Sequence, residues 1–186
     1  MSKRIIMDEA GVKECVNSLI KSINEALPHD EELCIIGIRR RGAAIAKYIA
    51  QAVDLFNNAP PLIGELDVTL YRDDLETLES LPVFFSTSIP FDINSKNLLL
   101  VDDVIFTGRT CRAALDALFL LGRPARISFA ALIDRGHREL PVQPDFTGTY
   151  IQTDYSEYIS VKTPRFDGEL SVTLWSSKNE YSQSPV

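Results

Sequence analysis

The run from Leu98 to Thr110, Leu-Leu-Leu-Val-Asp-Asp-Val-Ile-Phe-Thr-Gly-Arg-Thr, constrains the fold more than any other stretch of this chain. Four apolar residues ending in a β-branched valine predict a strand buried on both faces, the kind found in parallel sheets. Two carboxylates, Asp102 and Asp103, follow at once, and then a short loop, Thr107, Gly108, Arg109 and Thr110. The next residues, Arg-Ala-Ala-Leu-Asp-Ala-Leu-Phe-Leu-Leu, are strong helix formers that stop at Gly122, with Pro124 just beyond. Open α/β sheets bind ligands at the carboxyl ends of their strands, and a loop of amides and hydroxyls at a helix N-terminus attracts anions. A phosphorylated sugar satisfies both halves, its hydroxyls donating to the acids and its phosphate resting in the loop. The pattern extends beyond what a capped helix after a core strand would need.

Two other phosphate-binding patterns are excluded. A Walker loop needs Gly-Lys followed by Ser or Thr, and no Gly-Lys pair occurs; Gly-x-Gly-x-x-Gly is also absent. The 186 residues, 45% hydrophobic and 24% charged, suit one globular domain with a real core. No apolar stretch approaches the ~20 residues that cross a bilayer, and the N-terminus lacks a signal-peptide core, so a cytoplasmic protein without a membrane partner is expected. Cys15, Cys34 and Cys111 form no C-x-x-C pair and read as small core or helix-face residues. A net charge of −7 argues against a broad nucleic-acid surface.

Apolar spacing predicts a packing helix over Asp8–Leu27 and another over Ala43–Leu55. Strands are expected at Leu33–Ile38, Leu62–Leu70, Leu98–Val101 and Ile127–Ile133, with an edge or final strand at Leu170–Trp175. This alternation predicts an α/β fold with a mostly parallel central sheet flanked by helices. One domain would span residues 1–175, followed by a frayed polar tail over 176–186. Asp73 to Asn97, with prolines at 82 and 90, reads as a mobile loop or two-stranded arm. Gly37-Ile-Arg-Arg-Arg-Gly42 lies between a strand and its helix, where amides and guanidinium groups can converge on an anion. Tyr71, Arg72, Asp73 and Asp74 supply a cation and two acids near the expected mouth of the site.

The segment Val101 to Thr110 resembles the phosphoribosyl diphosphate motif of type I phosphoribosyltransferases. The resemblance implies that family's fold. It assigns Asp102 and Asp103 to the ribose hydroxyls, and Ile105, Phe106, Thr107, Gly108, Arg109 and Thr110 to the 5′-phosphate. It assigns Arg40, Arg41 and Gly42 to a pyrophosphate loop with a cis peptide, and Tyr71 to Asp74 to a loop that closes over the substrates and excludes water. A third segment, Asp134-Arg-Gly-His-Arg-Glu-Leu-Pro141 followed by Asp145-Phe146-x-Gly148, narrows the resemblance, together with Leu70-Tyr-Arg-Asp-Asp-Leu75. It is similar to the bifunctional branch that makes UMP from uracil and phosphoribosyl diphosphate and regulates pyrimidine genes, over about Ile5 to Trp175.

That branch implies Arg135 and Ile159 as base and nucleotide contacts and His137 as a surface or RNA-facing residue. It also implies UMP-dependent binding of pyrimidine operon mRNA and assembly as a homodimer or homotetramer. Magnesium would arrive with phosphoribosyl diphosphate, without a dedicated protein cage. No acid or base catalyst is assigned; Asp102 and Asp103 act electrostatically. The chain departs from the family at Thr149 and Tyr150, where a lysine is common. Residues 1–32 carry four cations against seven acids, a balance of −3, and residues 75–95 carry Glu76, Glu79 and Asp92 but no Lys or Arg. Two alternatives remain open: an RNA-binding nucleotide sensor with little catalysis, and a transferase for a purine or orotate.

Overall fold

The computed structural model describes residues 3–54, 58–71 and 87–182. Its centre is a parallel five-stranded sheet of β2 (Leu33–Ile38), β3 (Leu62–Leu66), β4 (Asn97–Ile105), β5 (Arg126–Asp134) and β6 (Phe146–Tyr150). The spatial order is β3-β2-β4-β5-β6. β2 is buried along its whole length, and β4 and β5 nearly so, because both faces of the sheet are covered. Alternate residues divide between two cores. Ile35, Leu99 and Val101 face helices α1 (Glu9–Ala26) and α2 (Arg41–Ala52), while Ile36, Leu98 and Leu100 face α3 (Arg109–Leu121).

A second, antiparallel sheet, in the order β1-β8-β7, is made of β1 (Lys3–Met7), β7 (Tyr158–Lys162) and β8 (Ser171–Trp175). Ile159, Val161, Val172 and Leu174 join the α1 and α2 core, so this small sheet is part of the same hydrophobic body. Short helices α4 (Pro164–Asp167) and α5 (Lys178–Ser182) flank β8. No helix among the described residues is long and apolar enough to cross a membrane. The three cysteines are buried and free.

The α/β expectation holds, with local corrections. β4 runs four residues past Val101, so both acids lie in the strand: Asp102 pairs in register with Ala131 of β5. α2 begins at Arg41 rather than Ala43, leaving only two residues between β2 and the helix. The second strand stops at Leu66, and Thr69–Tyr71 forms a 3-10 turn where Asp67 accepts from the Thr69 amide and hydroxyl. β8 is the last strand in the chain, as expected, but stands in the middle of its sheet rather than at an edge, and all five of its residues are buried. β1, β6 and β7 carry no clear period in the sequence; β1 pairs with β8 at the other end of the sequence, and all three take their burial from tertiary packing rather than local alternation. The tail is not frayed over 178–182. Tyr181 of α5 stacks with Tyr158 and Trp175 and accepts a hydrogen bond from Arg41, which holds the polar segment down. Of the expected arm, the described part contributes one antiparallel bridge, Ser88 to Glu65.

Candidate functional site

A pocket of about 570 Å3 opens at the carboxyl ends of the parallel strands, between β4, the N-terminus of α3 and the loop leading to β7. Asp102 and Asp103 line it, with Asp102 only 5% exposed. The Asp103 amide donates to Asp102 Oδ1 at 2.9 Å. Burial holds the Asp103 carboxyl above the ordinary carboxylate range, while its hydrogen bond with Asp102 and the charge of Arg41 pull the other way. α2 can approach these acids because Gly42 lacks a Cβ. One placed there would stand 2.6 Å from the Val101 carbonyl oxygen and 3.0 Å from Asp102 Cα.

The three residues Phe106 to Gly108 turn the chain from β4 into α3 through Gly108 at φ 91°, a conformation that favours glycine. The first amides of α3 therefore open toward the pocket, where the helix carries partial positive charge. The segment Asp134 to Val142 clamps this loop from behind. Arg138 donates to the carbonyls of Phe106, Gly136 and Val142 at 2.8 to 3.0 Å and to Asp134 Oδ2 at 2.5 Å. The amides of Glu139 and Leu140 donate to the Thr107 carbonyl. Glu139 also receives Arg109 Nε at 2.8 Å and the Tyr155 hydroxyl at 2.6 Å.

The remaining wall is aromatic and cationic. Arg135, 4% exposed, lies 4.0 Å over the Phe106 ring while donating to Thr153 Oγ1 and the Asp154 carbonyl. Desolvation lowers the Arg135 pKa from its usual value, against the pull of Glu157, Tyr158 and Tyr155. Phe106, His137 and Tyr155 form a cluster with ring centroids 5.2 to 5.7 Å apart. His137, at φ 60°, has Nε2 2.7 Å from the Thr153 carbonyl and donates its proton there.

Asp102, Asp103, Ile105, Phe106, Thr107, Gly108, Arg109, Thr110, Arg135 and Ile159 thus all line one pocket. The Arg40, Arg41 and Gly42 group does not. Arg40 is exposed, and Arg41 is engaged with Asp167 Oδ1 at 3.0 Å and with Tyr181, because the early start of α2 turns its side chain toward α4 and α5. Of the three arginines, Arg39 is the one that lines the pocket; it pairs with Glu65 at 3.2 Å, and the peptide between Arg39 and Arg40 is cis. Tyr71 stands outside the pocket and receives Arg112 on its carbonyl; Arg72, Asp73 and Asp74 lie outside the described residues. Glu139 and the stretch Tyr155 to Tyr158 also line the pocket. Only the position of Glu139 inside the singled-out Asp134 to Pro141 run could have marked it; Tyr155 to Tyr158 reach the site through folding alone.

A phosphoribosyl transferase domain model matches residues 5–163. A bifunctional protein PyrR of Elusimicrobium minutum is 41% identical over 178 residues, covering 96% of this chain and 99% of the relative. A bifunctional protein PyrR of Thermus thermophilus is 45% identical over 173 residues, covering 93% and 96%. Among solved structures, a hypoxanthine-guanine phosphoribosyltransferase of Bacillus anthracis shares the fold with a TM-score of 0.68 at 18% identity, over 94% of this chain and 99% of that one. A hypoxanthine phosphoribosyltransferase of Trypanosoma cruzi does so with a TM-score of 0.64 at 17% identity, over 92% and 95%.

Proposed function

This chain belongs to the phosphoribosyltransferase family, and from that premise we propose that it transfers the phosphoribosyl group of phosphoribosyl diphosphate to uracil, releasing UMP and pyrophosphate. The observation that carries the reading is the union, in one pocket, of two strand-borne carboxylates with a left-handed Gly108 loop at a helix N-terminus. Asp102 and Asp103 accept from the ribose hydroxyls, and the Thr107 to Thr110 amides and hydroxyls receive the 5′-phosphate. Arg39 faces the diphosphate. Arg135, Phe106 and Ile159 border the space left for the base. Uracil is favoured over a purine or orotate by the Asp134 to Pro141 run and by the identity to the bifunctional relatives.

The new bond joins uracil N1 to the anomeric carbon as the bond to the diphosphate oxygen breaks, and that oxygen keeps the electron pair. The N1 proton passes to solvent or to the departing diphosphate. An oxocarbenium-like centre needs electrostatic support and orientation rather than a strong base, which suits a pocket built of fixed acids, amides and guanidinium groups. Magnesium would arrive on the diphosphate and screen its charge. The oxygen donors available, Asp102 and Asp103, suit such a hard, largely hydrated cation. The protein is expected to form UMP when incubated with phosphoribosyl diphosphate, magnesium and uracil; formation of another nucleotide instead, in a screen of nucleobases, would reassign the substrate, and no product with any base would overturn the reading.

A regulatory role, UMP-dependent binding of pyrimidine operon mRNA, is supported by the relatives' designation as bifunctional. Charge opposes it. The exposed face of α1 carries Glu9, Glu14 and Glu25 against Lys13 and Lys21, and Thr149 and Tyr150 bring no cation. The expected result of a mobility-shift assay at low salt with UMP present is little or no complex; a tight, salt-dependent shift would establish the regulatory role.

A further inference from the structure

We propose that the groove between α1, α2 and the strap from β7 to β8 is a second ligand site, for a small amphipathic anion with an aliphatic or aromatic body and a carboxylate or similar head. The groove encloses about 330 Å3 and shares no lining residue with the nucleotide pocket. That volume is the size of a small-molecule site. Its floor is apolar, built of Val12 and Val16 of α1, Ile45 of α2, Leu132 of β5, Val161 of β7 and Leu170. Tyr48, 43% exposed, stands beside it as a wall with no burial of its own to explain it.

The charge at one end gives the sign of the head group. Lys47 and Arg165, both lining the groove, bind Glu65 Oε1 at 2.5 and 3.6 Å, and Arg39 binds Oε2 at 3.2 Å. Of the charged residues that line the groove, Lys13 pairs with Glu9, while Lys47 and Arg165 share the single Glu65 carboxylate; one positive charge is left over at this end, and an anion there would complete the balance. Thr163 adds an independent sign. It lines the same groove, is 3% exposed, and its Oγ1 has no hydrogen-bond partner among the described residues. An unpartnered buried hydroxyl is costly, and rotation about χ1 would let it serve the head group of a guest. Apolar floor, cationic end and spare hydroxyl converge on one ligand chemistry.

Titration of the intact protein with anilinonaphthalene sulfonate, followed by fluorescence and displaced with decanoate, tests the site. One molecule per chain should bind, and decanoate should displace it while decanol, with the same tail and no charge, competes about tenfold less well. Arg165→Gln, a change at a half-exposed side chain, should weaken the probe about tenfold, a loss comparable to one charge-assisted hydrogen bond. Ala44→Trp should fill the groove and abolish binding, with thermal melting used to verify that the variant is folded. Equal competition by decanol, or unchanged binding in Arg165→Gln, would overturn the proposal. So would a binding stoichiometry that falls as protein concentration rises, because a second copy of the chain would then be the occupant.

Discussion

Arg138 shows how much one side chain can hold in place. Its guanidinium satisfies three carbonyls and the carboxylate of Asp134, which is 3% exposed, and thereby pins the loop that ends β4. Arg138→Ala leaves that carboxylate buried without its cation, so a loss of about 3–5 kcal/mol is expected in denaturant unfolding. At the pocket floor, replacing Asp102 and Asp103 together by Asn should weaken UMP by roughly 100-fold or more, since two charge-assisted hydrogen bonds at ~1.5–3 kcal/mol each are lost. Calorimetry checks the affinity, and an unchanged melting temperature separates it from unfolding. The raised pKa of Asp103 gives a further expectation. Protonation removes its best acceptor, so uridine affinity should fall on acidification at a pH above the ~3.9 of an ordinary aspartate, and Asp103→Asn should flatten that limb. Uridine avoids the titration of the phosphate itself. For folding the sign is opposite: the native state keeps this proton to higher pH than the unfolded chain, so Asp103 detracts from stability as the pH rises.

Among the elements, β4 and α2 decide the shape of the site. The apolar run of β4 was legible because its burial on both faces leaves an unbroken hydrophobic stretch, and the amphipathic α1 was legible to within a residue at each end. The strand's continuation through two acids was not, because a local reading treats charge as the end of a buried strand, while here β5 supplies ladder partners through Ile105. The start of α2 was missed for a related reason. Arg41 and Gly42 look like loop residues, and only the close approach to Val101 and Asp102 shows that glycine is needed inside the first turn. Gly42→Ala is accordingly expected to push α2 from the end of β4, with a cost of about 1–3 kcal/mol by overpacking, measurable by urea unfolding. UMP affinity should drop with it, since Asp102 moves.

Across the whole molecule, Arg41 ties the C-terminal segment to α2. Its contacts with Asp167 and Tyr181 join α2 to α4 and α5, far along the sequence. Burial would raise the Asp167 carboxyl, but hydrogen bonds from Arg41 and the Thr163 amide outweigh it and hold the group below its usual range. A depressed carboxyl contributes stability that is present above the unfolded pKa and is lost as pH falls through the lower folded one. Asp167→Asn should therefore lower the melting temperature at neutral pH, and the difference from the parent protein should shrink progressively as the pH falls below the ordinary aspartate range. Tyr181→Phe should cost less, since it keeps the stacking on Tyr158 and Trp175. By itself the sequence determined the α/β class, the hydrophobic strands and the glycine turn from β4 into α3, because each rests on neighbours within a dozen residues: apolar runs, helix formers, a glycine beside hydroxyls. Tertiary structure alone decided which arginine of three faces the pocket, how Tyr155 to Tyr158 join Phe106, and that a polar tail packs as a helix. Those outcomes depend on where a helix begins and on contacts between segments more than 30 residues apart, such as Phe106 with Tyr155 and Arg41 with Tyr181, which no local pattern encodes.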